Sequence, residues 1–434
     1  MLLLIMVWAC PAVLCQDNQI IDGHPAWIMQ GNVYEVNVRQ YTQQGTFKAF
    51  EKHLDRLKEM GVQTLWFMPI NPISKVGRKG SLGSYYAVAN YTAVNPEFGS
   101  LKDFKRLVAD AHKHGMKVII DWVPNHTGAD NVWIKKHPDF YVKDKNGKPA
   151  MPYNWNDVRQ LDYKNVVMQD SMINAMKFWL NNANIDGFRC DVAWNVPGAF
   201  WKKCITQLRQ GRSLFFLAEG DKPYLHPSGF DATYPWEMFN AMKQVAKGAA
   251  PATALDAIKA KYDKAYPHNA LELYFTSNHD ENSDNKADFG VFPGASHAPF
   301  AVFTQTMPHS IPLIYSGQEE PVLRAVKFFD KDNMNFGKYD RAKFYKTLLN
   351  LRTFNPALSS NASFRKVDVG DSKAVYAYVR EMGGGKVFVI LNLSAQPQEI
   401  TIDDEKLQGK AFNVFRKIDE SITNKPWKME PWGM

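Results

Sequence analysis

From Val33 onward the chain alternates short β-rich runs with stretches whose apolar residues recur at the helical period, and it does so about eight times. No other feature narrows the fold as far. The pattern predicts strands over 33–38, 64–68, 117–121, 186–191, 214–218, 230–234, 273–277 and 312–316. Helices are predicted between them. Over 47–60 the apolar residues Phe47, Phe50, Leu54, Leu57 and Met60 fall on one helical face, and 101–114, 166–182, 197–210 and 341–354 read the same way. Strands alternating with helices imply an α/β fold with parallel pairing. Eight such units, with no G-x-G-x-x-G opening a helix, favour a closed (β/α)₈ TIM barrel over an open doubly wound sheet.

The alternation breaks twice. Between His126 and Asp162 lies a Trp-, Pro- and Asn-rich stretch too long for an ordinary connection, which predicts a small domain over 127–162 inserted after the third strand. Beyond Asn355 the apolar period changes to two, with glycines at 383–385, and this predicts a C-terminal antiparallel β-sandwich over 356–434. The barrel itself takes 16–126 and 163–355. Residues 1–10 are apolar but too few to span a bilayer, and the polar Gln16-Asp17-Asn18-Gln19 follows shortly after. Residues 1–15 therefore read as a signal peptide, and the protein is expected to be exported: periplasmic, secreted or held at the cell surface. Lipid attachment at Cys15 ranks below simple cleavage, because Leu14 before it fits that signal poorly. Only Cys190 and Cys204 remain in the mature chain, so no disulfide framework is expected. The net charge of +8 comes from scattered Lys and Arg with no accompanying nucleic-acid motif, so no nucleic-acid partner is expected, nor is a transmembrane segment.

Barrels place their reactive groups at the C-terminal ends of strands. The third predicted strand runs into Asp121-Trp-Val-Pro-Asn125-His126, the fourth into Arg189-Cys-Asp191, the fifth into Ala218-Glu219-Gly220, and the seventh into Asn278-His279-Asp280. One acidic residue after a strand is usually a cap or a loop residue. Four such endings in barrel order are harder to explain that way, since charges closing apolar runs are costly unless paired or functional. Carboxylates on one rim are what glycoside hydrolysis needs, one as nucleophile and one as acid then base. On this reading Arg189, two positions before Asp191, holds the nucleophile ionised. Glu219, preceded by an apolar run, stays protonated as the acid.

The four strand endings, in this order, resemble the short motifs of the α-amylase family of glycoside hydrolases (family 13 type), and the likeness runs from Val33 into the C-terminal region. The resemblance implies Asp191 as nucleophile, Glu219 as general acid/base and Asp280 as a third carboxylate on the sugar hydroxyls. It implies Arg189 as partner of the nucleophile, with His126 and His279 at the cleaved unit. It also implies Tyr86 as a stacking ring, with Tyr85 beside it as the rival. Asp121 would orient Arg189, and Trp133 and Trp155 are candidate sugar platforms. The implied activity is hydrolysis of α-1,4-glucosidic bonds in starch-like glucans or maltooligosaccharides with retention, without an organic cofactor. The alternatives are an α-glucan transglycosylase or an exo- or α-1,6-acting glucosidase on the same site, and, ranked last, a non-catalytic carbohydrate-binding protein. Many members hold a structural Ca²⁺ between barrel and inserted domain, and Asn125 matches one of its ligands. Gln160 stands where an Asp ligand is usual and Trp194-Asn195 where a Lys-His pair often follows. The sequence therefore leaves calcium open, with Asp157 as a substitute donor.

Overall fold

The computed structural model describes residues 19–283 and 291–434. The leader expected over 1–15 lies outside these residues. Eight parallel strands close into a barrel. They are β1 (Val33–Val36), β2 (Thr64–Phe67), β3 (Lys117–Trp122), β4 (Gly187–Cys190), β5 (Phe215–Ala218), β6 (Ala232–Thr233), β7 (Leu271–Tyr274) and β8 (Ser310–Tyr315). Closure is made by β8 on β1, with Leu313 opposite Val33. Each strand pairs with its sequence neighbours, as right-handed β–α–β units require.

The two-residue period of the strands explains both the core and the site. On β2, β3 and β5 the residues Leu65, Phe67, Val118, Ile120 and Phe216 pack outward with the helices. Trp66, Ile119, Phe215 and Leu217 belong to the other cluster, in the barrel interior. Continuing the interior set by two residues reaches Asp121 on β3, Arg189 and Asp191 on and just after β4, and Glu219 just after β5. Asp121 lies opposite Arg189, and Arg189 opposite Leu217, so apolar layers below give way to charge at the rim. Gly187, first in β4, has a specific reason to lack a side chain. A Cβ there would lie 2.0 Å from the carbonyl oxygen of Phe215.

Several predicted elements differ in detail. The helix expected over 47–60 is two pieces, Phe47–Glu51 and Leu54–Met60, because the His53 amide bonds Phe50 O at 2.8 Å and tightens the turn between them. Its five apolar residues stay buried. β7 ends at Tyr274 rather than 277, since the Asn278 side chain accepts the amides of Asp280 and Glu281 and starts a short helix, His279–Ser283. β6 retains only two residues.

Between β3 and β4 the chain leaves the barrel. His126–Gly128 pairs antiparallel with Val158–Gln160, and a short helix, Val132–Lys136, lies between. After the helix Ala342–Phe354 the chain forms antiparallel sheets, the largest built from Ser363–Lys366, Val375–Met382 and Gly385–Asn392. Tyr376 and Tyr378 join the barrel-side cluster, while Val375, Ala377 and Val379 join a separate one. That is the two-sided reading of one strand. Cys190 and Cys204 are buried free thiols. Among the described residues no helix is long and apolar enough to cross a membrane.

Candidate active site

A single guanidinium organises the rim. Arg189 Nη1 donates to Asp121 and to Asp191, each at 3.0 Å, and its Nη2 lies 3.3 Å from Glu219. Trp66, Tyr86 and Tyr234 present rings to it at 5.2, 5.8 and 5.6 Å. A planar cation so enclosed has few rotamers open to it, so the carboxylates it touches are held in place. Asp121 takes the orienting position expected of it.

Tyr86 connects this group to the other half of the site. Its hydroxyl donates to Asp121 at 3.0 Å and lies 2.7 Å from His279 Nε2, with the two rings stacked at 5.5 Å. Tyr85 instead donates to Asn37, which settles which tyrosine faces the site. His279 Nε2 is also 3.4 Å from Asp280, and its Nδ1 is bonded to Glu35 at 2.5 Å. Asp191, Glu219, Asp280, Tyr86, Arg189 and His279 are therefore brought together. His126 lies near enough for the charges of Asp157 and Glu219 to act on its ring.

Titration behaviour departs from the sequence expectation. Burial, then the adjacent Glu219 charge, pushes Asp191 well above the usual carboxylate range, and the Arg189 contact only partly offsets this. Burial also acts to raise Glu219, but Arg189 and the Val192 amide, which donates to it at 2.7 Å, bring it below its ordinary value. Arg189 serves both carboxylates rather than Asp191 alone, so the two titrate together as a pair. Burial pushes His126 down to about 4, leaving a neutral ring. For His279, burial is outweighed by Asp280 and Glu35, and its pKa rises to about 9, so the ring is cationic at neutral pH.

Calcium does not fit the residues present. The Asn125 carboxamide oxygen, the atom a cation would use, accepts Gln160 Nε2 at 3.0 Å and Asn195 Nδ2 at 2.9 Å. Asp157, the substitute donor, lies 3.3 Å from Lys79 Nζ. Among the described residues no group of three or more His, Cys, Asp or Glu is placed to hold a metal ion. Ca²⁺ takes six to eight oxygens with several carboxylates among them. Amide donors already occupy the coordinating lone pairs.

The two candidate platforms separate. Trp133 packs between Tyr91 and Phe140 in the core, whereas Trp155 lies against His126 at 5.6 Å. Five contributors escaped sequence reasoning. Glu35 sits inside an apolar strand run, and only its interior parity could have marked it. Tyr234 bonds Arg189 Nε at 3.3 Å. Val192 takes a left-handed φ of 46°, rare for a β-branched residue, and thereby turns its amide onto Glu219. Trp194 and Tyr224 are exposed, with the Tyr224 hydroxyl donating to Trp194 O at 2.7 Å. Gly220 leaves room for them, since a Cβ there would lie 3.0 Å from Trp194.

A closed (β/α)₈ barrel with an excursion after its third strand, antiparallel sheets behind it and acidic residues gathered at the C-terminal rim defines a class of glycoside hydrolase folds. A family profile described as "Alpha amylase, catalytic domain" matches residues 30–160, and one for the C-terminal domain of the α-amylase SusG matches 375–433. Over these two segments the chain is similar to the α-amylase family, glycoside hydrolase family 13. It is similar to the α-amylase MalA of Haloarcula japonica, with 25% identity over 87% of this chain and 57% of that protein. It is likewise similar to neopullulanase 2 of Thermoactinomyces vulgaris, with 26% identity over 85% and 66%. The chain thus spans less than two thirds of the length of these curated relatives. Among solved structures, the maltogenic α-amylase AmyB of Thermotoga neapolitana superposes with a TM-score of 0.84 at 29% identity, covering 93% of this chain and 96% of that one. An α-amylase from Lactobacillus plantarum gives 0.83 at 27%, covering 94% and 98%.

Proposed function

We propose that this chain is a retaining α-glycosidase that hydrolyses α-1,4-glucosidic bonds of starch-like glucans and maltooligosaccharides. The observation that carries the proposal is the hold of one guanidinium on both Asp191, at 3.0 Å, and Glu219, at 3.3 Å, which keeps their carboxyls close together. Retaining enzymes need closely spaced carboxyls, about 5–5.5 Å apart, whereas inverting ones leave room for a water between theirs. With the pair's proton on Glu219, the Asp191 carboxylate attacks the anomeric carbon while Glu219 delivers that proton to the departing glycosidic oxygen. A glycosyl–Asp191 ester forms and a new chain end leaves. Glu219 then takes a proton from water, whose oxygen displaces Asp191 from the same carbon. Asp280, the cationic His279 and the neutral His126 meet the sugar hydroxyls. The apolar leader at 1–15 supports export to meet such a substrate, and no step calls for an organic cofactor.

A second reading, transfer to an acceptor sugar, is favoured by Trp194 and Tyr224, exposed and bonded to each other, with Trp194 packed against Gly220, the residue after the acid/base. Product analysis on soluble starch, pullulan, isomaltose and maltooligosaccharides tests both. Shorter maltooligosaccharides are expected, products longer than the substrate would signal transfer, and the Asp191→Asn variant should lose about four orders of magnitude in rate. Retention of a tenth of the activity by that variant would remove Asp191 from its role.

A further inference from the structure

The excursion between β3 and β4 carries a second aromatic feature that the cleavage site does not use. Trp155 lies against His126 with ring centroids 5.6 Å apart, and Tyr153 continues the line outward at 5.0 Å from Trp155. Tyr153 is 57% exposed and its neighbour Met151 is 52% exposed, so two large apolar side chains face solvent side by side. Tyr153 and Met151 also line a cavity of about 440 Å³ whose wall includes Asp144, Lys148 and Arg159. That volume lies within the range of small-ligand sites. An apolar ring with a few charged groups around it matches a glucosyl unit, which offers an apolar face and a rim of hydroxyls. The backbone adds an independent sign. Tyr153 has φ 54°, a left-handed conformation uncommon for a bulky residue, which glycine would adopt without penalty. Such strain persists where the surroundings impose it, and it gathers at ligand clamps.

We propose that Tyr153, with Met151 and the cavity beneath them, binds a glucosyl unit of the same α-glucan chain several residues from the cleaved bond, so that this ledge sets a preference for long substrates. The inference rests on the α-glucan reading of the catalytic rim. Continuity decides the occupant: the rings step from His126 at the rim to the cavity, the path a polymer leaving the site would follow. Lys148, Asp144 and Arg159 supply both signs of charge, which suits neutral hydroxyls better than an ionic ligand.

Tyr153→Gly provides the test, because it removes the ring while relieving the strained backbone. The variant is expected to keep or raise its melting temperature and to keep kcat/KM on maltotriose. On maltoheptaose kcat/KM should fall about tenfold, carried by KM, while Tyr153→Phe stays near wild type. A drop in melting temperature with equal losses on both substrates would show a structural tyrosine and overturn the ledge. Unchanged maltoheptaose kinetics would overturn it as well. Calorimetric titration of Asp191→Asn with maltoheptaose, with and without Tyr153→Gly, separates the two readings. A wild type inactive on every α-glucan would sink the hydrolase assignment, while binding that depends on Tyr153 would still uphold the ledge.

Discussion

Glu35 shows what one buried side chain can control from a distance. It is fully enclosed on β1 and bonded to His279 Nδ1, so its charge is shared with the imidazole that reaches Tyr86 and Asp280. The groups facing His279 are Glu35, Tyr86, Asp121, Arg189 and Asp280, with the rings of Trp66 and Phe328 closing the remainder. Replacing Glu35 by Gln removes one of the two carboxylates that raise His279, so its pKa falls from about 9. The alkaline limb of kcat/KM is then expected to move down by about one pH unit, with the acidic limb in place. A raised histidine pKa stabilises the fold fully below its unfolded value and loses that contribution as pH rises through the folded one. The stability gap between wild type and Glu35→Gln should therefore be widest in mild acid and close above pH 9. A variant whose pH profile is only scaled, without a shifted limb, would deny Glu35 this role. Asp191, Glu219 and Asp280 were legible in the sequence because each ends an apolar run. Glu35 was not, since a carboxylate inside a strand announces itself only through the parity of its neighbours.

At the scale of elements, the junction of barrel and excursion differs most from what the resemblance allowed. Asn125, Gln160 and Asn195 satisfy one another by amide hydrogen bonds, and Lys79 lies beside Asp157. The position a divalent cation would fill is thus spanned by neutral and singly charged side chains. Chelation by EDTA is expected to leave the melting temperature and the activity unchanged, and added Ca²⁺ should stabilise by less than about 1 °C. A fall of several degrees on chelation would show that a cation belongs there after all. The sequence announced the substitutions at 160 and 194–195, but not that the new side chains would bond to one another. That pairing depends on β3 and β4 being adjacent with Asp121 opposite Arg189, a long-range register that local patterning does not carry. Strand ends were similarly hard to read. β7 stops early because the Asn278 side chain competes for the backbone, a local hydrogen bond that hydrophobic period cannot reveal.

For the molecule as a whole, eight repeats of strand and helix were enough to specify the barrel, and the barrel fixes where strand ends meet. Convergence of residues as distant in sequence as Glu35 and Asp280 follows from closure of β8 on β1. The account stands on Asp191 forming a covalent bond to the sugar. A 5-fluoro-α-glucosyl fluoride, which glycosylates quickly and is released slowly, tests this by mass spectrometry of the intact and digested protein. One glycosyl unit is expected on the peptide containing Asp191, and none on the Asp191→Asn variant. An adduct on Glu219 or Asp280, or none in a wild type that turns over the same compound, would contradict it.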